Sequence, residues 1–487
     1  METPPTPTPP TRTAETHWVF LRALGFVHLW AFGSLWAQIQ GLVGPEGIRP
    51  AQETLARAAD YLSEHGESPW RVMPTLAWFT GAGAAALHLL CGGGVLAALA
   101  LTFNRLSTVA LGALFVLYLS LFHIGAEFTR YQWDLLLLEV TFAALLYSPR
   151  FPHSVWLPRL VLFKLMFSSG VVKVASGDPT WHGLTALDYH YWTQPIPHFG
   201  GWLAWQAPGH ALSCVLMFGV ELVVPFLIFV RPAWAFWPFA GLLGVMGATG
   251  NYGFFHVLSA ALCVTLLPDS TWRRWLRDRV QVPAPAAPRR WLAALHALPL
   301  AWLMSLSLLH LGMLGQRRDP PNPTRAALAT AYDTLIGPLD AWQVESSYGL
   351  FATMTTRRDE IQVEGSSDGG QTWRPYRFAF KPNDAGDLPA PALFHMPRLD
   401  WQMWFAALGT CRRNEWFLLF QRRLLEGSKP VLGLLAESPF PPDAPPKLIR
   451  SRVEHFTFAA SARDGFWSVT PGPDYCPTLS IDQFRAR

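Results

Sequence analysis

Five charged residues interrupt otherwise apolar runs of this 487-residue chain, and they limit the chemistry it can perform. Lys164 and Lys173 share one run, Asp134 and Glu139 another, and Glu221 stands in a third. A charge at a bilayer centre costs about 2.5–3.5 kcal/mol unless it faces protein or water, so each needs a partner or a task. On a helix the spacing of the two lysines puts them on nearly opposite faces, so they serve different partners unless the helix breaks at Gly170. One use is catalytic: a desolvated lysine is a base, and Asp188 and His190 follow closely behind the Lys173 helix. The other use is structural, with Asp134, Glu139 and Glu221 as the nearest counter-charges in a polar network within the membrane. If residues 123–134 form one helix, His123, Glu127, Arg130 and Asp134 make a single stripe, either a proton relay or a salt-bridged helix end.

Recognised catalytic signatures are missing. The chain has no G-x-S-x-G, H-E-x-x-H, G-x-x-x-x-G-K-[ST] or C-x-x-C, and His182 and Asp188 miss the H-x4-D spacing of acyltransferases by one residue. Cysteines 91, 214, 263, 411 and 476 form no metal-like cluster, and the first three lie in apolar runs as small core residues. Cys411 and Cys476 share a polar region and can pair if that region is extracytoplasmic. No catalytic residue, metal or cofactor is therefore assigned.

These groups are carried by membrane helices. The chain is 51% apolar and 15% charged, with 23 Trp, 32 Phe and a net charge of +4 without basic blocks, which excludes a nucleic-acid groove and a disordered chain. Continuous apolar runs at 17–39, 75–101, 106–124, 133–148, 155–175, 211–230, 233–249, 252–267 and 291–314 predict an α-helical bundle of seven to nine spans. Residues 1–16 read as a disordered Pro/Thr-rich tail. With that tail inside, the cytoplasmic segments hold 11 arginines and the opposite short loops four, so nine spans leave everything after residue 314 outside the cytoplasm. The outer loop 176–210 has no Lys or Arg and four Trp, a composition suited to an interfacial cap or to a recognition face for apolar partners.

Residues 315–487 read as a soluble, β-rich α+β domain. Strands are expected at 342–354, 358–366, 372–381, 448–459 and 465–470, and a helix at 399–408 with Trp401, Trp404, Phe405 and Leu408 on one face. The stretch 366–373, SSDGGQTW, fits an Asp-box hairpin: Asp368 bonds turn amides, glycines permit positive φ, and Trp373 packs beneath.

Six separated stretches carry a family resemblance: YQWDLLLLE (131–139), FKLMFSSGVVKVASGDPTWHGLTALDYHYWTQP (163–195), GNYGFF (250–255), SYGLFATM (347–354), RLDWQMWFAAL (398–408) and LIR (448–450). In this order they resemble the lipase maturation factor family over almost all of the chain after residue 16. The resemblance implies a multispan protein whose C-terminal domain faces the secretory lumen in eukaryotes, where members assist folding and assembly of secreted dimeric lipases. It implies no catalytic residues. It does transfer a signature, namely Asp178, Trp181, Asp188, Tyr189, His190, Thr193 and Gln194 in the outer loop as a candidate client-binding set, and Trp401, Gln402 and Trp404 in the soluble domain. Trp192 stands before Thr193 where the family leads one to expect an acidic residue, a departure that weakens charge-based arguments about the loop. The Ala- and Arg-rich chain without a retention signal points to a bacterial plasma membrane, equivalent to the endoplasmic reticulum membrane in eukaryotes. Two functions follow: a folding factor that contacts membrane lipids and exported lipases or other secreted clients, or a membrane enzyme acting on lipid substrates.

Overall fold

The computed structural model describes residues 14–276, 288–314 and 322–485. The expected tail up to residue 13, the middle of the Arg-rich loop and the first residues of the expected soluble domain lie outside this set. Among the described residues, all nine apolar runs are helical in whole or in large part. Six helices among the described residues are long and apolar enough to cross a membrane: Ala14–Val43, Ala84–Thr102, Ser107–Ile124, Pro152–Ala175, His210–Val230 and Arg290–Leu314. The remaining three runs form the Gln132–Leu146 and Pro232–Thr249 helices and the shorter Phe255–Leu266 segment.

Contacts at the helix termini define two ends of the bundle. At one end Ala14 and Thr16 donate to Asp269, Arg273 pairs with Glu15, and His153 meets His296 at 3.2 Å. At the other end the C-terminal domain sits on the loops. Arg423 donates to the Gly47 carbonyl, Tyr131 to Gln402, and Asn251 to the Ala390 carbonyl. Among the described loop residues, Arg150, Arg273, Arg274, Arg289 and Arg290 belong to the end away from that domain.

The helix Trp156–Ala175 runs unbroken through Gly170. The glycine serves close packing instead, because a Cβ there would lie 2.6 Å from Leu222 on the neighbouring helix. The 123–134 stripe does not form. The helix ends at Ile124, a 3₁₀ turn covers Ala126–Thr129, and the next helix starts at Gln132. Ala126 holds a φ of 48°, a left-handed conformation incompatible with a continuing helix. His123 therefore bonds the Ala341 carbonyl, Glu127 pairs with Arg49, and Asp134 turns to a different partner.

The C-terminal sheet is antiparallel with order β2-β1-β3-β4, built from β1 (Arg358–Ser366), β2 (Arg374–Pro375), β3 (Leu448–Phe458) and β4 (Trp467–Ser480). The expected strand at 342–354 is absent. Its backbone groups bond bundle side chains instead, with Ser346 N–H donating to Glu139 and Met354 N–H to Asp178. The strand expected at 372–381 shrinks to two residues, for Pro375 has no N–H to offer the ladder. The helix Arg398–Ala407 packs against the sheet, and Cys411 is disulfide-bonded to Cys476. The 366–373 hairpin closes as its composition predicts: Asp368 accepts from Gln371 N–H, Thr372 N–H and the hydroxyls of Ser366 and Thr372.

Candidate functional site

The intramembrane charges are all paired: Asp134 and Lys164 reach partners beyond the bundle, whereas Lys173 and Glu221 pair within it. Asp134 begins the Gln132–Leu146 helix, where its side chain also caps the Tyr131 N–H. Arg398 reaches it from the C-terminal domain with Nη1 at 3.0 Å and Nη2 at 2.8 Å, a forked geometry that only a guanidinium supplies. Arg398 also donates to the Phe128 carbonyl, and the Tyr118 hydroxyl donates to Asp134. Both charges are completely enclosed, since Asp134 and Arg398 are each 0% exposed.

A second network centres on Lys164. Its ammonium lies 2.6 Å from Glu139 on the next helix and 2.5 Å from Glu345 of the chain leaving the bundle. Glu345 also receives His310 at 3.1 Å and the Tyr332 hydroxyl at 2.5 Å. Burial raises the Glu345 pKa, but the charge of Lys164 and the contact with His310 outweigh it, so the carboxyl is held below its ordinary value. Lys173 is separate from this network, as the helical spacing requires. It bonds both oxygens of Glu221 and the Ser169 carbonyl.

The outer loop is clamped between the same two bodies. Asp178 caps a helical turn by accepting from Thr180 N–H, and its second oxygen accepts from Met354 N–H at 2.9 Å. Desolvation raises the Asp178 pKa, but the hydrogen bonds from Thr180, Met354 and Trp181 together outweigh it and hold the carboxyl below its ordinary value. Trp181 is 2% exposed and donates to the Phe351 carbonyl. Trp404 of the C-terminal domain donates to the Thr193 carbonyl at 2.8 Å, and Trp202 donates to the Ala459 carbonyl. Arg358, enclosed at the start of β1, binds the carbonyls of Trp192, Gln194 and Pro195 and pairs with Glu360.

Thr193 and Gln194 are thus interior, as is Trp401, stacked edge-on against Trp133. Asp188 is the exposed member of the loop signature and pairs with His210, whereas Tyr189 packs in two aromatic clusters beside the sheet and beside Trp181. His190 bonds the Tyr252 hydroxyl. Lys164 and Asp188 do not join Lys173 and His190 around one cavity. Sequence reading missed Arg398, Glu345 and Arg358, the docking charges, because bundle and outer-loop groups that they bind across the boundary, Phe128, Asp134, Lys164 and Pro195, lie 163–270 residues away along the chain. Their one signal was an unmatched acidic residue, Asp134, in an apolar run.

An open groove lies on this end of the molecule, with a volume of about 710 Å³. Phe405 and Tyr131 give it aromatic area beside Gln402, and Arg57 and Arg130 also line it without an ion pair among the described residues. Phe405 is 40% exposed.

Comparison with known proteins covers both parts of the chain. The model described as lipase maturation factor transmembrane domain matches residues 15–274, and that described as lipase maturation factor C-terminal domain matches residues 344–477. Lipase maturation factor 2 of Mus musculus is 33% identical, over 95% of this chain and 83% of the relative. Lipase maturation factor 2 of Homo sapiens is 32% identical, over 92% and 80% respectively. Lipase maturation factor 1 of Mus musculus is 27% identical, over 96% and 88%. No solved structure matches the chain. With relatives aligned along nearly its whole length, and both domain models matched in order, this multispan protein belongs to the lipase maturation factor family.

Proposed function

We propose that this protein is a membrane-held folding or assembly factor for exported lipases, working at the extracytoplasmic face of a bacterial plasma membrane. Similarity to lipase maturation factors along 95% of the chain carries the reading. Three further observations support it. The densest group of described loop arginines, Arg273, Arg274, Arg289 and Arg290, lies at the bundle end opposite the C-terminal domain, while Arg49, Arg57 and Arg130 lie at the domain end; the bias is in the direction that retention of positive charge in the cytoplasm favours. The Cys411–Cys476 disulfide suits an oxidising compartment. The open groove offers aromatic area beside two guanidinium groups that have no ion pair among the described residues, a surface for partly folded segments that carry both apolar and acidic side chains.

In this reading the 17–314 bundle anchors the protein, and the client surface forms where its loops meet the region after 315. The buried signature residues Trp181, Thr193, Gln194, Trp401 and Trp404 hold the two together, and client contact falls on the groove. The test measures secreted lipase activity and lipase protein in cells with and without the gene. Activity per unit of lipase falls on deletion and returns with the wild-type gene if the reading is right; an unchanged ratio overturns it.

A further inference from the structure

A cavity of about 190 Å³ lies away from the groove, enclosed by the Pro152–Ala175, His210–Val230 and Pro232–Thr249 helices and the outer loop. Its walls are mainly apolar, but Lys173, Glu221 and His190 all line it. Local sequence explains this clustering. Pro225 has no N–H to donate to the Glu221 carbonyl, so the helix widens into a π turn at Gly219–Val223, with Val224 N–H bonding Gly219 five residues back. Gly170 lets that turn approach the Lys173 helix, bringing Glu221 to 2.8 Å from the ammonium.

The hydrogen-bond pattern fixes the polarity of the site. Gln194 donates from Nε2 to the carbonyls of Tyr191 and Thr249, so its Oε1 accepts from the Tyr252 hydroxyl. Having given its proton to Gln194, Tyr252 accepts from His190 Nε2–H at 2.8 Å. Burial holds the His190 pKa down to about 4, with Lys173 contributing, so the ring is neutral and Nδ1 carries a lone pair. No protein donor meets that nitrogen among the described residues. Lys173 has no spare donor either, since its three N–H groups match Ser169 O and the two Glu221 oxygens. An anionic headgroup would find no free cation, whereas a hydroxyl would find an acceptor. On the outer flank, Leu212, Leu216 and Val245 are 63%, 61% and 57% exposed on apolar helices, the surface expected to face acyl chains.

We propose that this cavity binds a neutral, single-chain amphiphile by its hydroxyl headgroup, with His190 as acceptor and the tail leaving between the His210–Val230 and Pro232–Thr249 helices. At about 190 Å³ the cavity is smaller than pockets for drug-sized ligands, about 300–1,000 Å³, so it holds the head and first methylenes only. The inference is independent of the lipase reading.

The test uses the full chain in phosphatidylcholine nanodiscs and an alkylglycerol ether bearing a mid-chain diazirine. Its controls are the same probe with methyl-capped hydroxyls and a diazirine fatty acid of equal length. The free-hydroxyl probe should label peptides around Leu212–Leu216 and Leu242–Met246, exceeding the capped probe by about tenfold, the scale of one unmade hydrogen bond to a buried acceptor. His190→Phe should abolish that preference, and Met246→Trp should reduce labelling by both glycerol probes. Equal labelling by capped and free probes, or strongest labelling by the fatty acid, overturns the proposal. If His190→Phe does not fold, judged by size exclusion, the wild-type probe comparison decides alone.

Discussion

Replacing Asp134 by Asn should detach the C-terminal domain from the bundle. The change keeps shape and removes one charge, leaving the Arg398 guanidinium at 0% exposure with the Phe128 carbonyl and the Tyr118 hydroxyl as its other partners among the described residues. Removing one partner of a buried pair costs about 3–5 kcal/mol, against about 0–1 kcal/mol for an exposed pair. The burial of both groups selects the larger figure, equivalent to about a hundred- to several-thousandfold in the equilibrium. The assay is thermal unfolding of the purified protein in detergent, followed by tryptophan fluorescence and by protease accessibility of the sheet domain. Arg398→Met should cost a similar amount. The double variant should be less destabilised than the two singles added together, because no isolated charge remains. Asp134→Asn within about 0.5 kcal/mol of wild type, or strict additivity, would refute the docking role.

Other outcomes follow from the same structure. Glu345 is held below its ordinary value of 4.5, so its contribution to stability is complete above that pH and is lost as pH falls below it. Unfolding midpoints measured from pH 7 down to 3 should fall in the wild type and fall less steeply in Glu345→Gln. Replacing Cys411 and Cys476 by Ser opens a loop with a sequence separation of 65, for which chain entropy gives about 4 kcal/mol; a denaturation series should show the loss in untreated protein, and reductant should then have no further effect. Trp404→Phe deletes one buried donor to Thr193 and should cost about 1 kcal/mol while raising protease cleavage in the outer loop.

The helical bundle was legible because continuous apolarity has one solution in a bilayer, a helix that satisfies its own backbone. Lys164 and Lys173 were legible as separate groups, since helical geometry alone separates them. The sheet was less so. Residues 342–354 alternate as a strand does, yet Glu139 and Asp178 take its amides, and no local pattern announces an acceptor supplied by a distant helix. The left-handed backbone at Ala126 ended the expected 123–134 stripe, a break that the charge spacing concealed. Arg398 lay inside a recognised signature stretch, but its role depends on Asp134, 264 residues earlier.

Site-specific photocrosslinking from position 405, in the groove wall, tests the client-binding reading most directly. A benzophenone side chain replacing Phe405 should form adducts with a newly exported, not yet active lipase. Paired Arg57→Ala and Arg130→Ala changes should reduce those adducts together with lipase activity per unit protein. Adducts with mature lipase alone, or none despite normal maturation, would contradict it.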